Sequence, residues 1–106
     1  MYTIGTIARK AANEKLFNTA FVVNPKGELQ TTYDKVHLFD INIPGKITYY
    51  ESETFNRGEN VCVFDTDYCK MGIGICYDLR FPELAMLMRQ RGANFLIYPG
   101  SFNLTT

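Results

Sequence analysis

Residues 70–100 read KMGIGICYDLRFPELAMLMRQRGANFLIYPG, and this stretch decides the fold. Met71 to Cys76 is a short apolar run laced with glycine, with the length and texture of a buried strand. Pro82 to Arg91 follows, rich in helix formers, with proline suited to the first turn and basic residues in the last. Gly92 falls where a helix C′ glycine belongs. Asn94 to Tyr98 is a second apolar run, ended by Pro99 and Gly100. Strand, helix and strand at these lengths form a βαβ unit whose two strands run parallel, so the fold class is α/β. Ligands of open α/β sheets collect beyond the carboxyl ends of the strands. Cys76 stands at the end of the first strand, and Ser101 and Phe102 follow the second, which puts them on one rim.

Upstream, Thr19 to Asn24 (TAFVVN) is β-branched and aromatic, and Asn24-Pro25-Lys26-Gly27 has the chemistry of a tight turn. Glu28 to Leu38 alternates loosely and reads as the return strand of a hairpin. In an extended strand Lys35 and His37 share one face. Residues 39–57, FDINIPGKITYYESETFNR, have no clear period and read as a long loop. Loops of that length in compact domains are usually functional or disordered, and Tyr49, Tyr50 and Phe55 argue against disorder. Gly58 to Asn60 turns into a further strand, Val61 to Asp65.

Composition bounds what such a unit serves. The chain has 106 residues, 46% hydrophobic and 21% charged, with zero formal net charge, so it is one domain at most and too apolar for disorder. No Lys/Arg cluster points to nucleic acid or an anionic membrane surface. No apolar stretch approaches the roughly 18 residues of a membrane span, and the first fifteen residues lack the pattern of a secretory signal. The cysteines Cys62, Cys69 and Cys76 are odd in number and contain no C-x-x-C pair, which argues against a disulfide framework or a zinc site. A reducing compartment, the cytoplasm with mitochondria as a second location, is expected.

Cys76 admits two readings, a small buried hydrophobe or a nucleophile. Its place at a strand end, with Gly74 allowing a tight turn, follows the logic of a nucleophile elbow, although the second glycine of that motif is missing. Cys62 and Cys69 lack such a setting and read as structural or incidental. A thiol reacts as its thiolate, so it needs a partner. His37, the single histidine, is one candidate, or else a satisfied core residue. Lys35 is the other, able to favour the thiolate and hold an oxyanion, or else a solvated strand lysine. Glu51 would hydrogen-bond such a lysine. Arg80 either grips an acidic substrate through its guanidinium fork or pairs with Asp78 or Glu83.

YDKVHLFD (33–40) resembles the lysine motif of the nitrilase (carbon–nitrogen hydrolase) superfamily, and GIGICYDLRFPEL (72–84) resembles its cysteine motif. FDINIPGKIT (39–48) and YPGSFNLTT (98–106) are similar to the omega-amidase branch. The resemblance implies a partial α-β-β-α sandwich that hydrolyses a carboxamide to an acid and ammonia through a cysteine thioester. It implies Cys76 as nucleophile, Lys35 with the backbone N–H of Tyr77 as oxyanion holders, and Glu51 positioning the lysine. Arg80 and Phe102 match substrate-contacting positions. The implied substrates are small dicarboxylate monoamides, alpha-ketoglutaramate and alpha-ketosuccinamate, with no metal and no organic cofactor, in a full-length homodimer. The family's general-base glutamate sits on an upstream strand that residues 1–106 do not match, and its G-[ST]-I-P-E stretch is weakened to Gly5-Thr6-Ile7-Ala8-Arg9. Residues 1–106 are therefore expected to be the middle portion of a carbon–nitrogen hydrolase domain, inactive alone. The alternatives are the related amidase of deaminated glutathione, a Cys-His hydrolase built on His37, and an inert chain with an interaction role only.

Overall fold

The computed structural model describes residues 1–102. Strands β1 (Thr3–Lys10), β2 (Leu16–Val23) and β3 (Leu29–Asp34) form an antiparallel meander. The turn after β2 is held by Asn24, whose side-chain oxygen accepts the N–H groups of Lys26 and Glu28, both at 3.0 Å. β1 was not expected. It packs partly against the core through Ile4, beside Tyr2 just ahead of the strand, but its second half is exposed, so it carries no clean apolar alternation for a sequence to display.

β3 stops at Asp34, where the sequence suggested a strand as far as Leu38. The reason is that side chains take over the backbone donors. The Lys35 N–H still reaches the Asn18 carbonyl at 2.8 Å, but Val36 N–H donates to the Tyr33 hydroxyl and His37 N–H to the Asp78 carboxylate. Lys35 and His37 thus leave the strand and meet different partners, instead of sharing a strand face.

Residues 39–57 are also more ordered than a loop. β4 (Asp40–Ile43) and β5 (Ile47–Tyr50) pair as a hairpin around Pro44-Gly45, with Gly45 at φ +77° and Lys46 N–H donating to the Ile43 carbonyl at 3.0 Å. Proline then glycine at the centre of such a turn is the type II signature. A short 3-10 turn (Glu51–Glu53) follows, and β6 (Phe55–Asn56) joins β2 in parallel beside Leu16 and Phe17.

The second main sheet is β7 (Cys62–Asp65), β8 (Lys70–Ile73) and β9 (Phe95–Ile97), with β7 and β8 antiparallel. β8 and β9 are parallel and are connected through α1 (Pro82–Gln90), the βαβ unit expected from residues 70–100. Gly92 adopts φ +100° after the helix. β8 ends at Ile73, three residues earlier than the apolar run suggested, and Cys76–Arg80 forms a 3-10 turn.

Alternation along β7 explains the layering. Cys62 and Phe64 face Ala20, Val22 and Tyr33 of the first sheet, together with Ile73 and Ile75. Val61 and Val63 point the other way, to Leu84 and Met88 of α1. The layers are sheet on sheet, with one helix covering the outer face of the second. Full burial of a side chain such as Ile73, Val22 or Met88 contributes about 1.5–3 kcal/mol.

Candidate active site

Cys76 begins the 3-10 turn just past β8, on the carboxyl rim of the parallel strands. Its backbone sits at φ +46°, the one described non-glycine residue with positive φ. Such left-handed conformations carry strain and concentrate at functional sites. Two contacts with the segment after β9 hold it there: Cys76 N–H donates to the Pro99 carbonyl at 2.8 Å, and the thiol donates to the Ser101 carbonyl at 3.7 Å. Gly100 allows that approach, because a Cβ there would stand 2.8 Å from both Cα and Cβ of Cys76. Gly74 was expected to supply the turn. It is instead a point of close approach, where a Cβ would meet the Tyr98 ring at 2.6 Å. The turn's unusual backbone belongs to Cys76 itself.

Lys35 is only 2% exposed. Its ammonium donates to Glu51 Oε1 at 2.7 Å. The same oxygen accepts Phe39 N–H at 2.7 Å, and Oε2 accepts the Asn18 amide at 2.9 Å. Burial pushes the Glu51 carboxyl up, but the Lys35, Phe39 and Asn18 hydrogen bonds and the lysine charge outweigh it and hold it below the usual range. The pair is placed by β3 and by the turn after β5, two elements with no shared ladder.

Lys35, Glu51 and Cys76 line one cleft together with Thr6, Asn18 and Tyr49. A second cavity, of about 350 Å³, adjoins it and is lined by Phe39, Ile41, Cys76, Tyr77, Arg80 and Phe102, with Ser101 on its wall. Cys76 belongs to both. The Tyr77 ring meets Phe39 and Phe81 edge-on, with centroids 5.1 and 5.2 Å away, which makes this wall aromatic and firm. Of the segment 98–106, residues 103–106 lie outside the described residues.

His37 lines neither cavity. Its Nδ1 meets Asp78 Oδ1 at 2.8 Å, and its ring stacks on Phe81 with centroids 3.7 Å apart. Cys62 is buried against Phe64 and Ile73, and burial pushes its thiol up. Among the described residues no three His, Cys, Asp or Glu side chains are gathered to hold a metal ion, and no helix is long and apolar enough to cross a membrane.

Sequence reasoning missed Asp78, Tyr33 and Asn18. Asp78 figured only as a salt-bridge partner for Arg80. It is fully buried and receives hydrogen bonds from Tyr33, Ile75 and His37. The sequence carried one sign of this, an acid two residues past the cysteine that ends an apolar run, but none of the identity of its partners.

The model of the carbon–nitrogen hydrolase family matches residues 1–105. Among curated relatives, the omega-amidase NIT2 of Bos taurus is 55% identical over 107 residues and that of Homo sapiens 52% identical over 106. Both matches take in 100% of this chain, which spans only 38% of the length of either relative. The crystal structure of Saccharomyces cerevisiae Nit3, a member of branch 10 of the nitrilase superfamily, is similar with a TM-score of 0.78 and 44% identity, over 95% of this chain and 34% of that one. The C. elegans NitFhit protein is similar with a TM-score of 0.86 and 36% identity, over 99% of this chain and 26% of that one. With its paired sheets, its βαβ rim and these matches, the chain belongs to the carbon–nitrogen hydrolase family.

Proposed function

We propose that these residues carry the nucleophile and ammonium of an omega-amidase-type hydrolase. Its substrate is a small dicarboxylate monoamide, alpha-ketoglutaramate or alpha-ketosuccinamate, and its products are the acid and ammonia. The observation that carries this is the shared cleft: a buried, carboxylate-oriented ammonium and a strained, partly exposed cysteine form walls of one cavity. The omega-amidase relatives support the substrate class.

The Cys76 thiolate attacks the amide carbon, and the carbonyl oxygen becomes an oxyanion. Lys35 Nζ donates to it, as does the Tyr77 N–H, which lies in the first turn of the 3-10 segment where backbone donors have no intrahelical partner. The carbon–nitrogen bond breaks and the nitrogen leaves as ammonia, taking up the proton that the Cys76 thiol gave up on forming the thiolate, which leaves a Cys76 thioester. Water attacks the thioester carbonyl, the carbon–sulfur bond breaks, and acid and thiol are released. Arg80, in the adjoining cavity, supplies a fork suited to the distal carboxylate, and Phe102 packs against the substrate chain.

Glu51 serves to orient Lys35. A carboxylate held below its usual range is a weak proton acceptor, so it is poorly matched to general-base work near neutral pH. The resemblance assigns that work to another glutamate, outside the motifs matched here.

Ammonia release from alpha-ketoglutaramate by the natural gene product that carries these residues tests the proposal. Cys76→Ala is expected to lower kcat by about four orders of magnitude or more. Turnover unchanged in that variant would sink it, and faster turnover of deaminated glutathione would move the substrate to the neighbouring branch.

A further inference from the structure

The two halves of the cleft come from different sheets: Lys35 follows β3 of the first, and Cys76 follows β8 of the second. Face-packed sheets share no backbone ladder, and apolar packing between them is not directional. Something directional must set the thiol against the ammonium.

Asp78 has the geometry for this. Its side chain is 0% exposed and both oxygens are engaged. Oδ2 accepts the Tyr33 hydroxyl at 2.7 Å and Ile75 N–H at 2.9 Å. Oδ1 accepts His37 N–H at 2.9 Å and meets His37 Nδ1 at 2.8 Å. A carboxylate has about four acceptor sites, so its capacity is filled. The donors lie on both sides of the cleft. Ile75 directly precedes Cys76, while Tyr33 and His37 flank Lys35 at two residues on either side. The Tyr33 hydroxyl also accepts Val36 N–H at 3.2 Å, tightening the loop that carries the lysine.

The geometry assigns Asp78 as a positioning residue, a buried clamp between the Cys76 turn and the Lys35 loop that fixes how thiol and ammonium face each other. It rests on the proposed pairing of Cys76 with Lys35 and adds the device that sets that pairing. Each carboxylate oxygen takes one backbone N–H. Asparagine keeps the shape, but in either amide orientation its NH₂ faces one of those two donors, so one backbone N–H is orphaned and one side of the clamp opens.

The test is the rate of Cys76 alkylation by iodoacetamide near neutral pH, resolved by peptide mass spectrometry in the natural gene product. Lys35→Met is expected to slow it about three- to tenfold, because the cleft then loses the cation that shares it with the reacting sulfur. Asp78→Asn, with lysine and cysteine both retained, slows it by a similar factor. In the Lys35→Met background Asp78→Asn slows it no further, a non-additivity that a general loss of stability would not produce. A wild-type rate in folded Asp78→Asn overturns the assignment, as does equal slowing in both backgrounds. A Lys35→Met protein that alkylates at the wild-type rate overturns the Cys76–Lys35 pairing itself. Should Asp78→Asn fail to give a folded circular dichroism spectrum, Tyr33→Phe takes its place. It removes one donor and the Val36 acceptor, and is expected to slow alkylation about twofold; an unchanged rate in the folded variant also overturns the clamp.

Discussion

Removing the charge of Glu51 is the sharpest perturbation of this chain, because Lys35 is buried against it. Glu51→Gln keeps the volume and leaves the side-chain carbonyl free to accept from Lys35 and Phe39. The ammonium, 2% exposed, then has no compensating charge at 2.7 Å. Breaking one partner of a buried pair costs about 3–5 kcal/mol, whereas an exposed pair is worth about 1 kcal/mol or less. Burial therefore decides which figure applies, and a loss of about 3 kcal/mol is expected, since glutamine retains part of the hydrogen bonding. That is a large share of the roughly 5–15 kcal/mol that holds a typical domain together. Urea unfolding of the natural gene product, followed by fluorescence or circular dichroism, measures it. With a slope of about 2 kcal/mol/M, the midpoint falls by about 1.5 M. The double variant Lys35→Met/Glu51→Gln, which removes the stranded charge as well, recovers at least half of the loss. A midpoint shift below about 0.5 M for Glu51→Gln, or a double variant less stable than the single, refutes the claim that the lysine is desolvated and carboxylate-compensated.

Two further outcomes are expected. The folded Glu51 carboxyl lies below its usual value, so its contribution to stability is full above the unfolded pKa of about 4.3, declines as pH falls through the folded value, and is absent below both. The wild-type urea midpoint should therefore drop on acidification below about pH 4.3, and less steeply in Glu51→Gln; parallel curves would contradict this. Gly100→Ala forces a Cβ to within 2.8 Å of the Cys76 backbone, so the segment after β9 must move away from the cysteine. A loss of about 1–3 kcal/mol by urea unfolding is expected, with slower alkylation of Cys76; a variant unchanged in both would show that the Cys76 turn is not held there.

The βαβ unit was legible in residues 70–100 because its cues are local. Proline opens α1, Leu84 and Met88 recur at helical spacing on its buried face, and Gly92 adopts the left-handed conformation after it. The hairpin of β2 and β3 was legible for the same reason, through the chemistry of its turn. β4 and β5 had a local signal too, the Ile43-Pro44-Gly45-Lys46 turn, but four-residue strands are too short to show a period. β1 had almost none, since most of it is exposed and its pairing partner, β2, lies later in the chain.

The sequence by itself determined the chemistry available: a cysteine at a strand end, a lysine and a glutamate upstream, and a rim on which a parallel pair of strands would present them. It did not determine where β3 stops or which way Lys35 turns, since those depend on donors captured across 41 residues by Asp78. Nor did it show the positive φ at Cys76, which is held by Pro99 and Ser101 from beyond the next strand. Tertiary structure decided these because a buried polar group must find its partner wherever the packed sheets put one, and that partner's position along the chain is not local information.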